Sequence, residues 1–378
     1  MKDHAKSTVN YRRASLFLLG LIALILTGGA LKLTTPVVLP FVIAVLLTFV
    51  LEPLVAVLTK IRIPRAIASV LIVLMIGMAV YAAGFILFKS VGSIATLYPK
   101  YEARFTEIYR KIAETFDFAY DEHLSLFDNL WSHLNVRTKV QSLAFRFSES
   151  FVYLLKDSVM VTLFIVFLLL EIGHFRDRAE IAFARTFPGG LSSIMESVVH
   201  QITRYLSIKF FLSLATGVLV GLSLSLVGMD FPVVWGIVSF ILNFIPTIGS
   251  IAAGGGIAVF SIVQFYPDPT PIGLSIGSVL AINLIIGNVF EPKIQGDNLG
   301  LSPFIILASL LAWGWLWGFV GLVLAVPMTV IVKIFCENIP GLEAVSIMIG
   351  SYKAAREARE QDVQSPGAAA GAASSPDE

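Results

Sequence analysis

Long apolar runs alternate with short polar breaks along most of this chain. Eight runs are long enough to cross a bilayer: Leu16–Leu31, Pro36–Leu58, Ala66–Phe88, Phe151–Glu171, Tyr205–Val227, Ile248–Phe265, Ile272–Phe290 and Pro303–Val332. A spanning helix needs about 20 mostly apolar residues, because hydrocarbon offers no partner to an open backbone. A ninth run, Phe231–Ile245, is shorter, with Asp230 and Pro232 at one end and Pro246 at the other. Such a segment is expected to re-enter and turn back, its irregular ends covered by protein. The predicted fold class is all-α: a polytopic transmembrane helical protein of about eight spans with a candidate re-entrant segment.

Between Phe88 and Phe151 the pattern changes. Leu97, Tyr101, Phe105, Ile108, Ile112 and Phe116 recur every three or four residues, as do Val136, Val140, Leu143, Phe147 and Leu154. That period, with Glu, Lys and Arg on the other face, predicts amphipathic helices. The chain thus divides into three spans over 1–90, an extracytoplasmic helical segment over 91–150, a membrane core over 151–335 and a cytoplasmic tail over 336–378. From about residue 361 the tail is Ala, Gly, Ser and Pro with acidic residues at its end, and disorder is expected there. The amphipathic segment reads as a helical cap that also mediates self-association, so a homo-oligomer is expected.

Composition agrees with a protein whose main partner is the lipid bilayer. Hydrophobic residues make up 56% and charged residues 14%, against about 45–50% and 25% in soluble domains. A net charge of +1 gives no basic excess for nucleic acid. Cys336 is the single cysteine, which excludes an intrachain disulfide and a cysteine-based metal site.

Basic residues then set an orientation. Lys2, Lys6, Arg12 and Arg13 precede the first run; no small-residue cleavage site follows it, so an uncleaved first span is expected. Further basic clusters are Lys60, Arg62 and Arg65; Arg176, Arg178 and Arg185, with Lys209 just inside the next span; and Lys333, Lys353, Arg356 and Arg359. Placing these inside puts both termini in the cytoplasm and requires an even number of crossings. Eight crossings satisfy this with 303–332 as one span. Ten satisfy it if Phe231–Ile245 spans and 303–332 folds as a hairpin at Gly314–Gly318.

Two breaks carry the candidate chemistry. In NVFEPKIQGDNLGLSP, Glu291, Pro292 and Lys293 follow an apolar run ending at Gly287 and Asn288. Pro292 lacks an amide hydrogen and disfavours helix at Glu291, so a break there frees backbone carbonyls for a solute or ion. Glu291 is a candidate proton carrier; the plainer alternative is that Glu291 and Lys293 mark the water interface. In NFIPTIGS, Asn243 offers hydrogen bonds, while Pro246 and Gly249 end one helix and begin another. Interrupted runs of this kind point to the substrate path in secondary transporters. Glu52, before Pro53, is a second proton-carrier candidate or an interfacial residue. Gly217 with Gly221, and Gly314 with Gly318, have the small-xxx-small spacing of close helix packing.

The parts of an enzyme are not assembled. His4, His123, His133, His174 and His200 all lie outside the apolar runs, and neither HExxH nor a phosphate-binding GxxxxGK[ST] occurs. No catalytic residue, metal or cofactor is expected.

NFIPTIGS at 243–250, NVFEPKIQGDNLGLSP at 288–303 and GFVGLVLAVP at 318–327 resemble, in order and spacing, the bacterial autoinducer-2 exporter family of permeases. Thr247 and Ser250 stand where family motifs often carry an aromatic and a second proline. The resemblance implies a multi-span inner-membrane protein exporting autoinducer-2 or a similar small polar solute. It also implies an alternative, exchange of sodium or lithium for protons. A non-transporting scaffold using Leu97–Leu154 is a reading of another class.

Overall fold

The computed structural model describes residues 25–115, 158–171, 191–295, 300–338 and 342–350, with a few positions between 15 and 23 and Arg178. The expected helix carrying Val136 to Leu154 and the tail beyond 350 lie outside the described residues. The described residues are almost wholly helical. In chain order the helices are α1 (Thr35–Lys60), α2 (Arg65–Thr115), α3 (Ser158–Glu171), α4 (Leu191–Val227), α5 (Pro232–Leu242), α6 (Ile248–Phe265) and α7 (Pro269–Ile285). A π-turn (Ile286–Phe290) joins α7 to α8 (Glu291–Gln295); α9 (Pro303–Asn338) and α10 (Glu343–Ile349) follow. Among the described residues, six helical stretches are long and apolar enough, by length and composition alone, to cross a membrane: those of α1, α4, α6 and the broken α9, the part of α2 from Arg65 to Ser90, and Pro269–Ile294. Large apolar side chains such as Leu71, Leu74 and Met78 are exposed on α2, as suits a surface facing lipid rather than water.

The chain forms two compact units. The unit holding 47–175 and 203–298 is built around α4, α5, α6 and α7, with α2 against α5 and α6. Its core joins Val220 and Leu224 of α4, Met229, Ile257 of α6 and Val279 of α7, with Trp235 and Phe260 packed against them. Glycine brings α4 and α5 together: a Cβ on Gly217 would lie 2.7 Å from the Gly236 carbonyl oxygen, and one on Gly221 would lie 3.4 Å from that of Pro232. At 11 residues α5 is about 16 Å long, too short to cross hydrocarbon of about 30 Å. It folds back on α6 as a hairpin. A Cβ on Gly249 would sit 1.7 Å from the Leu242 carbonyl oxygen, so only glycine fits there.

α2 runs unbroken for 51 residues through Pro99, about 76 Å at 1.5 Å per residue. Apolar and amphipathic sequence are thus one rod, with no helix end near residue 90. Beyond its spanning part, α2 holds the loops that join the other helices. The Tyr101 hydroxyl donates to Asp230 (2.7 Å), Lys100 pairs with the same carboxylate (3.3 Å), and Arg104 donates to the Tyr266 carbonyl. The Asp230 backbone amide in turn donates to Gln264 Oε1 (2.8 Å). Burial and the neighbouring Asp230 carboxylate push the Tyr101 phenol above its ordinary range.

In the unit holding 1–46, 176–202 and 299–378, the last expected span departs from the sequence expectation. Residues 303–332 do not make one straight crossing. Trp317 (φ −124°) and Gly318 (φ 61°, ψ −137°) break the helix of α9, and the chain doubles back. The Trp313 indole donates to Thr329 Oγ1 at 3.3 Å, although a straight helix would hold those residues about 24 Å apart. A Cβ on Gly321 would lie 1.9 Å from the Trp313 carbonyl oxygen, and one on Gly314 would lie 2.8 Å from Leu322 Cδ2. Gly314 therefore serves close packing within the hairpin. Gly318 does not, contrary to its spacing: nothing lies within 4 Å of its Cβ position, and it supplies the positive φ of the turn.

Candidate functional site

The site is built on α4. Tyr205, Lys209, Ser213 and Thr216 follow one another at intervals of four, four and three residues, which places them on one helical face. All four are buried, Lys209 at 3% exposure and Ser213 at 0%. A lysine there needs a counter-charge, because desolvating an ammonium alone is prohibitive. Lys209 Nζ lies 2.6 Å from Glu291 Oε1, with the Glu291 side chain 23% exposed. Buried Tyr205, one turn before Lys209, interacts electrostatically with the same carboxylate. One turn further along, Ser213 Oγ accepts a hydrogen bond from Asn243 Nδ2 at 3.0 Å.

α4 thereby joins the two sequence breaks. Glu291 directly follows the π-turn, and Asn243 comes from the α5–α6 turn. Each is placed by a local backbone feature. Asn243 caps the C-terminus of α5, its amide bonded to the Ser239 carbonyl at 2.9 Å. The Ile245 amide bonds to the Leu242 carbonyl, and Thr247 takes φ 60°, ψ −56° before α6 begins. A β-branched residue at positive φ is strained, and such strain collects at functional turns.

The expected end of the helix at Gly287 and Asn288 is absent. The backbone widens into a π-turn, with the Glu291 amide bonding five residues back to the Ile286 carbonyl, and helix resumes through Gln295. The extra residue eases the ring of Pro292 past the preceding turn, where a regular helix would clash. Single π-turns recur at functional sites.

Several expected contributors lie elsewhere. Asn288, Pro292 and Lys293 are exposed, and the charge partner of Glu291 is Lys209 rather than Lys293. Pro246 is half-buried in the turn. Glu52 Oε1 pairs with Arg65 at 2.7 Å across the α1–α2 connection, with both side chains partly exposed. Its second carboxylate oxygen is buried without a hydrogen bond. Among the described residues no cluster of His, Cys, Asp and Glu could hold a metal ion. The sequence marks Lys209 only as a basic residue just inside a span, and singles out neither Ser213 nor Tyr205 as a site residue. Their signal was present as polar positions at helical spacing inside an apolar run.

A bundle of long apolar helices with an ion pair and a hydrogen-bonded turn in its interior defines a multi-pass helical membrane protein of the kind that carries solutes. A family model for AI-2E family transporters matches residues 21–341. The chain belongs to that transporter family. It is 32% identical over 340 residues to a predicted transport protein of Borreliella burgdorferi, covering 90% of this chain and 91% of that one. It is 28% identical over 337 residues to the AI-2 transport protein TqsA of Escherichia coli K12, covering 88% and 94%. A predicted transport protein of Haemophilus influenzae is 27% identical over 342 residues, covering 89% and 96%.

Proposed function

We propose that this protein exports a small polar solute, autoinducer-2 or a chemically similar molecule, across the bacterial inner membrane, with both termini cytoplasmic and as a homo-oligomer. It carries out no catalysis. The observation that carries the reading is the buried Lys209–Glu291 pair, in line along α4 with Ser213 and Asn243. The pair is neutral as a whole, so an uncharged polyol can approach it without a large electrostatic barrier. Asn243, Ser213 and Tyr205 offer donors and acceptors that replace water around hydroxyl groups. Protonation of Glu291 releases Lys209 and leaves the site with a positive charge, which gives the transport cycle two electrostatic states. The TqsA relative's name supports the choice of solute.

A second reading, sodium or lithium exchange for protons, is favoured by one contact. Glu291 Oε1 already holds a cation, the Lys209 ammonium, at 2.6 Å on a partly exposed carboxylate. A monovalent ion competing for that oxygen would couple cation and proton binding.

Purified protein in liposomes separates these readings. Efflux of trapped autoinducer-2 that is lost in Glu291→Gln supports the exporter. Proton movement driven by sodium or lithium, and lost in the same variant, supports the exchanger. If neither flux exceeds that of empty vesicles, transport through this site is refuted and the scaffold reading remains.

A further inference from the structure

The α5–α6 hairpin carries Asn243 at its tip and is fastened at its other end, where α5 begins and α6 stops. Gln264 ties those two ends together, accepting from the Asp230 amide at 2.8 Å and donating to the Gly228 carbonyl at 3.1 Å. α2 then holds both of them, through Tyr101 and Lys100 on the Asp230 carboxylate and Arg104 on the Tyr266 carbonyl. Phe260 adds an aromatic seal. The rings of Tyr101, Trp235 and Phe231 are centred 5.4, 5.5 and 6.4 Å from its own. We propose that this contact with α2 is a releasable outer gate. While it holds, the hairpin shuts the polar stripe of α4 from the outer side; its release opens that side for the solute to leave. The gate rests on the exporter reading above and adds to it the group that controls exit.

Position, strain and chemistry each suit that role. From Phe231 to Asn243 the helix α5 rises about 18 Å, so the latch acts on the Asn243–Ser213 bond through the hairpin rather than by contact. Ser239 lies one turn before Asn243, 3% exposed, and its hydroxyl has no hydrogen-bond partner. An unpaired buried hydroxyl penalises the closed arrangement, and opening lets water or a solute hydroxyl meet it. At the latch itself Phe231 takes φ 58°, ψ 44°. A bulky residue in the left-handed region is strained, and it persists only where its surroundings hold it. Those surroundings are the Asp230 contacts beside it. Both Asp230 and Lys100 are partly exposed, so water replaces their bonds when the latch lets go, and release costs little.

The first test needs no transported solute. Ser239→Cys in a Cys336→Ser background is exposed, in spheroplasts, to a membrane-impermeant methanethiosulfonate. Slow reaction is expected, rising about tenfold on adding Tyr101→Phe or Asp230→Asn, the weight of one hydrogen bond to a charged group. Tyr101→Phe keeps its ring on Phe260 and serves if Asp230→Asn elutes as aggregate. A Thr329→Cys reporter in the α9 hairpin should respond to neither variant. Rates at Ser239→Cys unchanged by both variants would overturn the gate. An equal rise at Thr329→Cys would mean general loosening and overturn it too, and a rise confined to inside-out vesicles would overturn its outer placement. The second test bridges Tyr101→Cys to Asp230→Cys with a bifunctional methanethiosulfonate. Efflux of autoinducer-2 from liposomes should stop and return on reduction. Efflux that persists through a complete bridge overturns the gate and leaves the exporter standing. No efflux with or without the bridge, beside the tenfold rise in labelling, refutes the exporter and keeps the gate for another cargo.

Discussion

Two helical hairpins reverse the chain by the same backbone device and put it to different uses. In α5–α6 the Cβ position of Gly249 lies 1.7 Å from the Leu242 carbonyl oxygen; in α9 that of Gly321 lies 1.9 Å from the Trp313 carbonyl oxygen. Both turns need a residue at positive φ, Thr247 (φ 60°) in the first and Gly318 (φ 61°) in the second. The hydrogen bonds then diverge. The first hairpin presents Asn243 outward to Ser213, on the helix that carries the Lys209–Glu291 pair. The second closes on itself, with Trp313 bonded to Thr329 and its ring centre 5.2 Å from that of Trp317. A close glycine contact builds a hairpin; a polar residue reaching another helix gives it chemistry.

The largest expected effect tests that contrast in polarity. Lys209→Met leaves Glu291 without its cation and should cost about 3 kcal/mol, the low end for a broken buried pair because the carboxylate is partly exposed. Trp313→Phe removes one neutral hydrogen bond of the other hairpin and should cost about 1 kcal/mol. Thermal unfolding of detergent-solubilised protein ranks the two. Lys209→Met with Glu291→Leu should recover most of the loss, since no charge is then stranded. Equal costs for the two single variants would mean that the ion pair on the helix beside the first hairpin contributes no more than the neutral bond inside the second.

Next comes what they share. Gly249→Ala and Gly321→Ala each force a methyl group into a main-chain carbonyl and should each destabilise by about 2 kcal/mol. The midpoint of heat-induced loss of monodisperse protein in size exclusion measures both. A neutral result at either position would mean that its hairpin is not closed as described.

A smaller effect separates the turns. Thr247→Gly relieves a β-branched side chain from positive φ and should stabilise by about 1 kcal/mol, after allowance for the added freedom of the unfolded chain. Gly318→Ala should destabilise by about 1 kcal/mol, because alanine pays for that conformation and glycine does not. Opposite signs in the same unfolding assay are the expected result.

The smallest concerns the clamp beneath the first hairpin. The folded-state pKa of Tyr101 is raised above that of an ordinary phenol, first by burial and then by its hydrogen bond to the Asp230 carboxylate. The unfolded chain therefore releases this proton first, and the stability the phenol contributes is intact below about pH 10 and falls as pH rises through the folded value. Tyr101→Phe should flatten the alkaline limb of stability against pH while leaving the second hairpin's response to Gly321→Ala unchanged.

Much of this architecture was legible along the chain. The apolar runs mark the spanning segments because hydrocarbon penalises an exposed polar backbone locally, residue by residue. Ile248–Phe265 forms the helix that its hydropathy predicts, and the Pro and Gly of NFIPTIGS mark a real turn. Helix ends at changes in composition were less legible. Nothing stops the hydrogen bonding of α2 near residue 90, and a single π-turn carries the chain past Pro292.

The sequence by itself determined the class of protein, the positions of most helices and the two segments worth suspecting. The folded structure decided which residues meet. Lys209 and Glu291 are 82 residues apart, so their pairing depends on the packing of the helices that carry them, set by residues along the whole of their contact. The hairpin in α9 was likewise decided in three dimensions. Gly314 and Gly318 have the spacing of a packing motif in a straight helix, and only with Gly321 against the Trp313 carbonyl does the chain fold back. Hydrophobicity acts on each residue where it stands; charge pairing and close contact act between residues that the fold brings together.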